Sequence, residues 1–115
     1  MELTFVYAVE FDRLAEGLLT DEQMRLVEQQ LLDNPRVGPV VPGTGGVRKL
    51  RVALPGRGKS GSARIIYLYV AIADRVYFLT VYTKSARADL TAAQKQQMRA
   101  LVAALRAAHE RERGR

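Results

Sequence analysis

The chain has 115 residues, 48% of them hydrophobic and 26% charged, which suits one folded domain over 1–115 and excludes both a second core of useful size and a disordered chain. With no cysteine and one histidine it lacks disulfides, thiolate zinc ligands and a cysteine nucleophile, and neither a structural metal nor a cofactor is expected. The formal charge is +6, unevenly spread: residues 1–33 carry two basic and eight acidic side chains, residues 34–73 seven basic and no acidic ones, and residues 74–115 nine basic and four acidic ones. Forty residues with seven cations and no anion suggest a polyanionic partner.

Leu3 to Val9 is rich in β-branched and aromatic residues and reads as a strand. Phe11, Leu14, Ala15 and Leu18 then recur at helical spacing, and Thr20-Asp21-Glu22-Gln23 has the spacing of a capping box before Met24, Val27 and Leu31, so two short helices are expected. Asn34-Pro35 ends them, and residues 35–46, with three prolines and four glycines, form a loop. From Val47 the period becomes two: Leu50, Val52 and Leu54 share one face of a strand and Lys49 and Arg51 the other. Pro55 to Ser62 is a second, cationic loop. Arg64–Ile72 and Val76–Thr83 are apolar strands that pair as a hairpin at the centre of the sheet, turning at Asp74-Arg75. Thr91-Ala92-Ala93-Gln94 repeats the capping spacing ahead of a helix with Met98, Leu101, Val102 and Leu105 on its apolar stripe, and the charged tail from about His109 is expected to fray. The layout is α+β, with a curved, antiparallel-dominated sheet of about four strands, two N-terminal helices and one C-terminal helix.

Motif by motif, ordinary chemistry drops away. Gly58-Lys59-Ser60 resembles the end of a phosphate-binding loop, but Ala53 stands where that motif needs glycine and a strand follows where it needs a helix. His109 has no partner nearby in sequence and reads as a solvated residue near a helix C-terminus, and Ser60 and Ser62 have no histidine in the basic region to act as their base. Residues 34–73 carry no paired carboxylates. A cationic set remains: Arg48, Lys49, Arg51, Arg57, Lys59 and Arg64, followed by Lys84 and Arg87. Arginine suits bidentate phosphate contact and lysine supplies a mobile charge. Tyr67, Tyr69, Tyr77 and Tyr82 interleave with these strands, and Tyr82, beside Lys84, is the least core-like of them by position.

The blocks Val41-Pro42-Gly43-Thr44-Gly45-Gly46-Val47-Arg48-Lys49-Leu50-Arg51, Gly56-Arg57-Gly58-Lys59-Ser60-Gly61-Ser62-Ala63-Arg64-Ile65-Ile66-Tyr67 and Val81-Tyr82-Thr83-Lys84, with Asp89-Leu90-Thr91 opening the last helix, resemble the HigB-like branch of the RelE/ParE superfamily over nearly the whole chain. The resemblance implies a RelE-like fold and the toxin of a type II toxin–antitoxin pair, a metal-independent endoribonuclease that cuts mRNA in the ribosomal A site. Its implied partners are the ribosome, mRNA and a cognate antitoxin, commonly with a helix-turn-helix domain. It implies catalytic roles for Lys49 and Arg51, for Arg64 as the stabiliser of the phosphorane and for Lys84, with Lys49 or Lys84 as base or acid; Arg48, Arg57, Lys59, Ser60 and Arg87 would hold mRNA or ribosomal RNA. Some relatives place a catalytic tyrosine or histidine near the C-terminus, where this chain offers only His109, so Tyr82 stands as the replacement acid. A lysine of ordinary pKa near 10.4 is unprotonated in only about one molecule in 2,500 at pH 7, and crowding by cations around Lys49 is expected to lower that barrier.

Two other readings share this fold: a ParE-like DNA gyrase inhibitor without nuclease chemistry, and a non-catalytic RNA-binding module whose affinity falls steeply with salt. The longest apolar run, Ile65 to Ala73, is too short to cross a bilayer, and Met1-Glu2-Leu3-Thr4 lacks the basic start of a secretory signal; no membrane association and a cytoplasmic address are expected.

Overall fold

The computed structural model describes residues 2–54 and 61–114, so Arg57, Lys59 and Ser60 lie outside the described residues. The order is β1 (Thr4–Tyr7), α1 (Val9–Ala15), α2 (Asp21–Asp33), β2 (Arg48–Ala53), β3 (Ser62–Val70), β4 (Arg75–Thr83) and α3 (Ala92–Arg113). The strands form one sheet in the order β1-β4-β3-β2, antiparallel at β2/β3 and β3/β4 and parallel at β1/β4. This is the α+β layout the sequence predicts, with the β3/β4 hairpin at the centre.

Both capping boxes form. The Thr20 and Thr91 hydroxyls accept from the backbone N–H of Gln23 and Gln94, and each glutamine carbonyl accepts from the threonine N–H in return. Each pairing satisfies two of the donors that a helix start leaves free. α1 and α2 cover one sheet face: Phe11, Ala15, Val27 and Leu31 pack on Leu50, Ile65, Tyr67, Val76, Phe78 and Val81. α3 covers part of the other, where Val102, Met98 and Leu105 meet Val47, Ile66, Leu68, Val70 and Leu79. Leu101, expected on the apolar stripe, is exposed.

The chain does not turn tightly at Asp74-Arg75. A 3-10 helix, Ala71–Ala73, intervenes, and Asp74 takes the left-handed conformation with φ 48°. α3 continues past His109 through Arg113, and His109 is 5% exposed rather than solvated. Its Nε2 lies 2.6 Å from the Tyr77 hydroxyl and its Nδ1 3.5 Å from a Glu112 carboxylate oxygen, so the ring pins the last turns of α3 to β4.

The loop before β2 is ordered by internal bonds. The Thr44 hydroxyl, fully buried, donates to the Val41 carbonyl at 2.6 Å and accepts from the Val47 N–H at 3.2 Å. Gly38 presses against β2 so closely that a Cβ there would lie 2.7 Å from the Lys49 carbonyl oxygen. Thr44→Val keeps the shape but strands both buried backbone groups, and is expected to cost about 1–3 kcal/mol. Urea denaturation checks this; a loss below about 0.5 kcal/mol would mean that the loop is held by other contacts.

Candidate functional site

The strand registers bring the central residues together. Arg51 on β2 is opposite Arg64 on β3, and Arg64 is opposite Tyr82 on β4. Directly opposite residues project from the same face about 5 Å apart, so the three form a row across the sheet. Lys49 lies two residues from Arg51 on that face, opposite Ile66, which is opposite Thr80. The face is the one α3 packs on, as Tyr82 and Ile66 share a cluster with Val102 and Leu90.

Tyr82 reaches this face through a β-bulge. The register slips between Ile66 and Tyr67, which are opposite Thr80 and Phe78, so Leu79 is an extra residue. Phe78 packs towards α1 and α2 and Leu79 towards α3, and beyond the bulge Val81 packs towards α1 and α2 and Tyr82 towards α3. Strict alternation from Tyr77 puts Tyr82, five residues on, on the opposite face; one inserted residue re-aims it, a use of bulges seen beside active sites.

Tyr82 is therefore buried, at 8% exposure, contrary to its expected place as the least core-like tyrosine. Its hydroxyl is buried without a hydrogen-bond partner among the described residues. Burial pushes the phenol pKa up, as does the Asp89 carboxylate, while Arg64 and Arg87 pull it down; the balance is upward and the phenol is protonated at neutral pH. Arg64 donates from Nη1 to the buried Ser62 hydroxyl at 2.6 Å, which fixes its guanidinium, and the Lys84 N–H bonds the Ser62 carbonyl at 3.1 Å. The Lys84 side chain is exposed in the turn after β4. Arg87 lies over the Tyr82 ring, 5.8 Å from its centroid, and donates to the Gln94 side-chain carbonyl at 2.7 Å.

Two features were not legible in the sequence. Asp89 joins the cation set: the Leu90 N–H, Lys95 and Lys49 hold its carboxyl below the usual range against the opposing effect of burial, and Lys95 Nζ lies 3.6 Å from it. The surroundings of Lys49 are thus of mixed sign instead of uniformly cationic. Ser62, considered as a nucleophile, acts as the support of Arg64. Arg48 is not in the row. Its parity on β2 turns it to the other face, where it donates to the carbonyls of Gly38 at 2.8 Å and Arg36 at 3.1 Å. Among the described residues no cluster of side chains suits a metal ion, and no helix is long and apolar enough to cross a membrane.

A protonated phenol without a partner among the described residues, within the influence of the Arg64 and Arg87 guanidiniums, is expected to serve a ligand more than the fold. Tyr82→Phe should leave the unfolding midpoint within a degree or two, since it removes an unsatisfied hydroxyl. Where the phenol donates a proton in the reaction, the same change lowers the rate about 10²-fold or more. Equal losses of stability and activity would assign the hydroxyl to the fold.

A family model described as the RelE toxin of the RelE/RelB toxin–antitoxin system matches residues 10–113. Among solved structures, the chain is similar to a mutant of the E. coli toxin RelE in the free state, with a TM-score of 0.51 and 15% identity over 76% of this chain and 90% of that one. At that identity the likeness is one of fold.

Proposed function

The chain belongs to the RelE toxin family of toxin–antitoxin systems, and from that membership we propose that it is a ribosome-dependent, metal-independent mRNA endoribonuclease of the HigB-like branch, acting in the cytoplasm as a single domain. The observation that carries the proposal is the row Arg51, Arg64, Tyr82, with Lys49 next to it on the same face.

Cleavage of RNA without a metal needs three things: a base for the ribose 2′-OH, positive charge at the phosphorane, and a proton for the departing 5′-oxygen. The 2′-oxygen loses its proton, bonds to phosphorus, and the P–O5′ bond breaks to leave a 2′,3′-cyclic phosphate. Arg64 and Arg51 suit the phosphorane, because two neighbouring guanidiniums meet its equatorial oxygens and Ser62 holds one of them in place. The protonated Tyr82 phenol is the proposed donor to the leaving oxygen, a role that requires its buried hydroxyl to be uncovered when RNA binds. Lys49 and Lys84 remain the lysine candidates for base or acid, and Arg87, with Arg48, Arg57, Lys59 and Ser60, is assigned to holding RNA. The guanidinium of Arg48 already serves two loop carbonyls, which favours a supporting part for it.

Controlled expression of the wild type and Arg64→Ala in bacteria tests the proposal, with growth followed alongside primer extension on an abundant mRNA. Growth arrest with new cuts inside translated codons in the wild type, and neither in the variant, is the expected result. Arrest by both chains without cuts, with accumulating DNA breaks, would replace it with gyrase inhibition. RNA binding with neither arrest nor cuts would leave a non-catalytic RNA-binding module.

A further inference from the structure

Six residues along β3 from Arg64, and so about 20 Å away, the sheet ends at Val70 beside a concavity. It is a cavity of about 510 Å³ whose lining residues include Arg36, Arg48 and Arg106 and one acidic residue, Glu110. None of the three arginines forms an ion pair among the described residues. Two are held in place: Arg36 lies 5.0 Å from the centroid of the Tyr69 ring, and Arg48 is fixed by the loop carbonyls of Arg36 and Gly38. Cations already ordered lose little freedom when a partner arrives.

The remainder of the wall is apolar. Val40 and Ile72 are 48% and 42% exposed here, beside Tyr69. A phosphodiester strand or a small anion would satisfy the arginines and leave both aliphatic side chains in water. A protein segment carrying an aliphatic anchor flanked by carboxylates answers both parts, burying the apolar wall while its charges meet the rim. Charge complementarity therefore selects an acidic peptide with an apolar residue between its carboxylates.

We propose that this cavity is the docking site for an acidic, aliphatic-anchored segment of the cognate antitoxin. The inference rests on the toxin reading above and adds where the partner grips the chain, at a place separate from the Arg51–Arg64–Tyr82 row. Glu110 gives the site polarity: the carboxylates of the segment lie towards Arg36, away from Glu110.

The test measures binding of the purified full-length chain to the antitoxin encoded beside its gene, by isothermal titration calorimetry. All chains carry Arg64→Ala, so that they can be produced. The paired change Arg36→Glu and Arg106→Glu is expected to weaken binding at least about 100-fold, and Ile72→Ser about tenfold. Antitoxin affinity within twofold of the parent in both variants overturns the proposal. So does loss of binding to a 12-residue uridine oligonucleotide with antitoxin affinity retained, which would make the cavity a nucleic-acid groove. Should the paired variant fail to fold, Ile72→Ser alone decides, since it alters one exposed side chain. Cleavage is read separately on the same substitutions with Arg64 intact: failure of the wild type to cut RNA would remove the nuclease reading and leave the docking measurement standing.

Discussion

Arg64→Ala is expected to slow cleavage of ribosome-bound mRNA by about 10²–10³-fold, the loss that follows removal of one preorganised donor from developing negative charge. Arg64 is central in the row, with Arg51 on one side and Tyr82 on the other, so its removal takes out the guanidinium between the proposed second charge stabiliser and the proposed proton donor. The fold should tolerate the change, because the side chain is partly exposed and, among the described residues, bonds only to the Ser62 hydroxyl. Arg64→Lys should recover little of the rate, since an ammonium supplies a point charge where a planar fork holds two oxygens. Ser62→Ala should fall between wild type and Arg64→Ala, leaving the guanidinium present but free to move. Single-turnover cleavage on programmed ribosomes measures all three. A loss below about fivefold for Arg64→Ala would remove the row from the chemistry.

The second large effect lies on the other face. Phe78→Ala is expected to destabilise the chain by about 3–5 kcal/mol, through lost transfer energy and the cavity left behind. Phe78 is fully buried, and its ring centroid lies 4.8 Å from that of Tyr7, 5.3 Å from that of Phe11 and 5.8 Å from that of Phe5. It therefore joins β1, α1 and β4 at one point. Against a total stability of about 5–15 kcal/mol for a natural domain, this change should leave a measurable unfolded fraction at growth temperature. Equilibrium unfolding in urea reads the loss directly. A value under about 1.5 kcal/mol would mean that the neighbouring rings close over the gap.

What could be read from the sequence follows the range of the interaction behind each feature. The capping boxes at Thr20 and Thr91 rest on contacts three residues apart, and both appear where the spacing puts them. The period of two in β2 likewise groups Lys49 with Arg51 and separates Arg48 from them. Features set by distant partners were hidden. The burial of His109 depends on Tyr77, 32 residues away, and the side of the sheet on which Tyr82 emerges depends on an inserted residue whose only sign is the register with β3. Asp89 read as part of a helix entry, and its nearness to Lys49 and Lys95 comes from how the loop before α3 folds over the sheet. The family resemblance drew Arg51, Arg64 and Lys49 together from separate blocks before the register did.

The parallel pairing of β1 with β4 sets a folding order. Thr4 is opposite Arg75, so closing that ladder joins residues 71 positions apart, whereas β3 meets β4 across a short connection. Loop-closure entropy makes the distant pairing late. The hairpin is expected to nucleate the sheet, with φ-values near 0.5–0.8 for Ile65 and Val81 and near zero for Phe5. A high value at Phe5 would reverse the order. In the expected order, a growing chain contains every strand of the Arg51–Arg64–Tyr82 row before its first strand is locked in place, so the row can assemble on a sheet that is still one strand short.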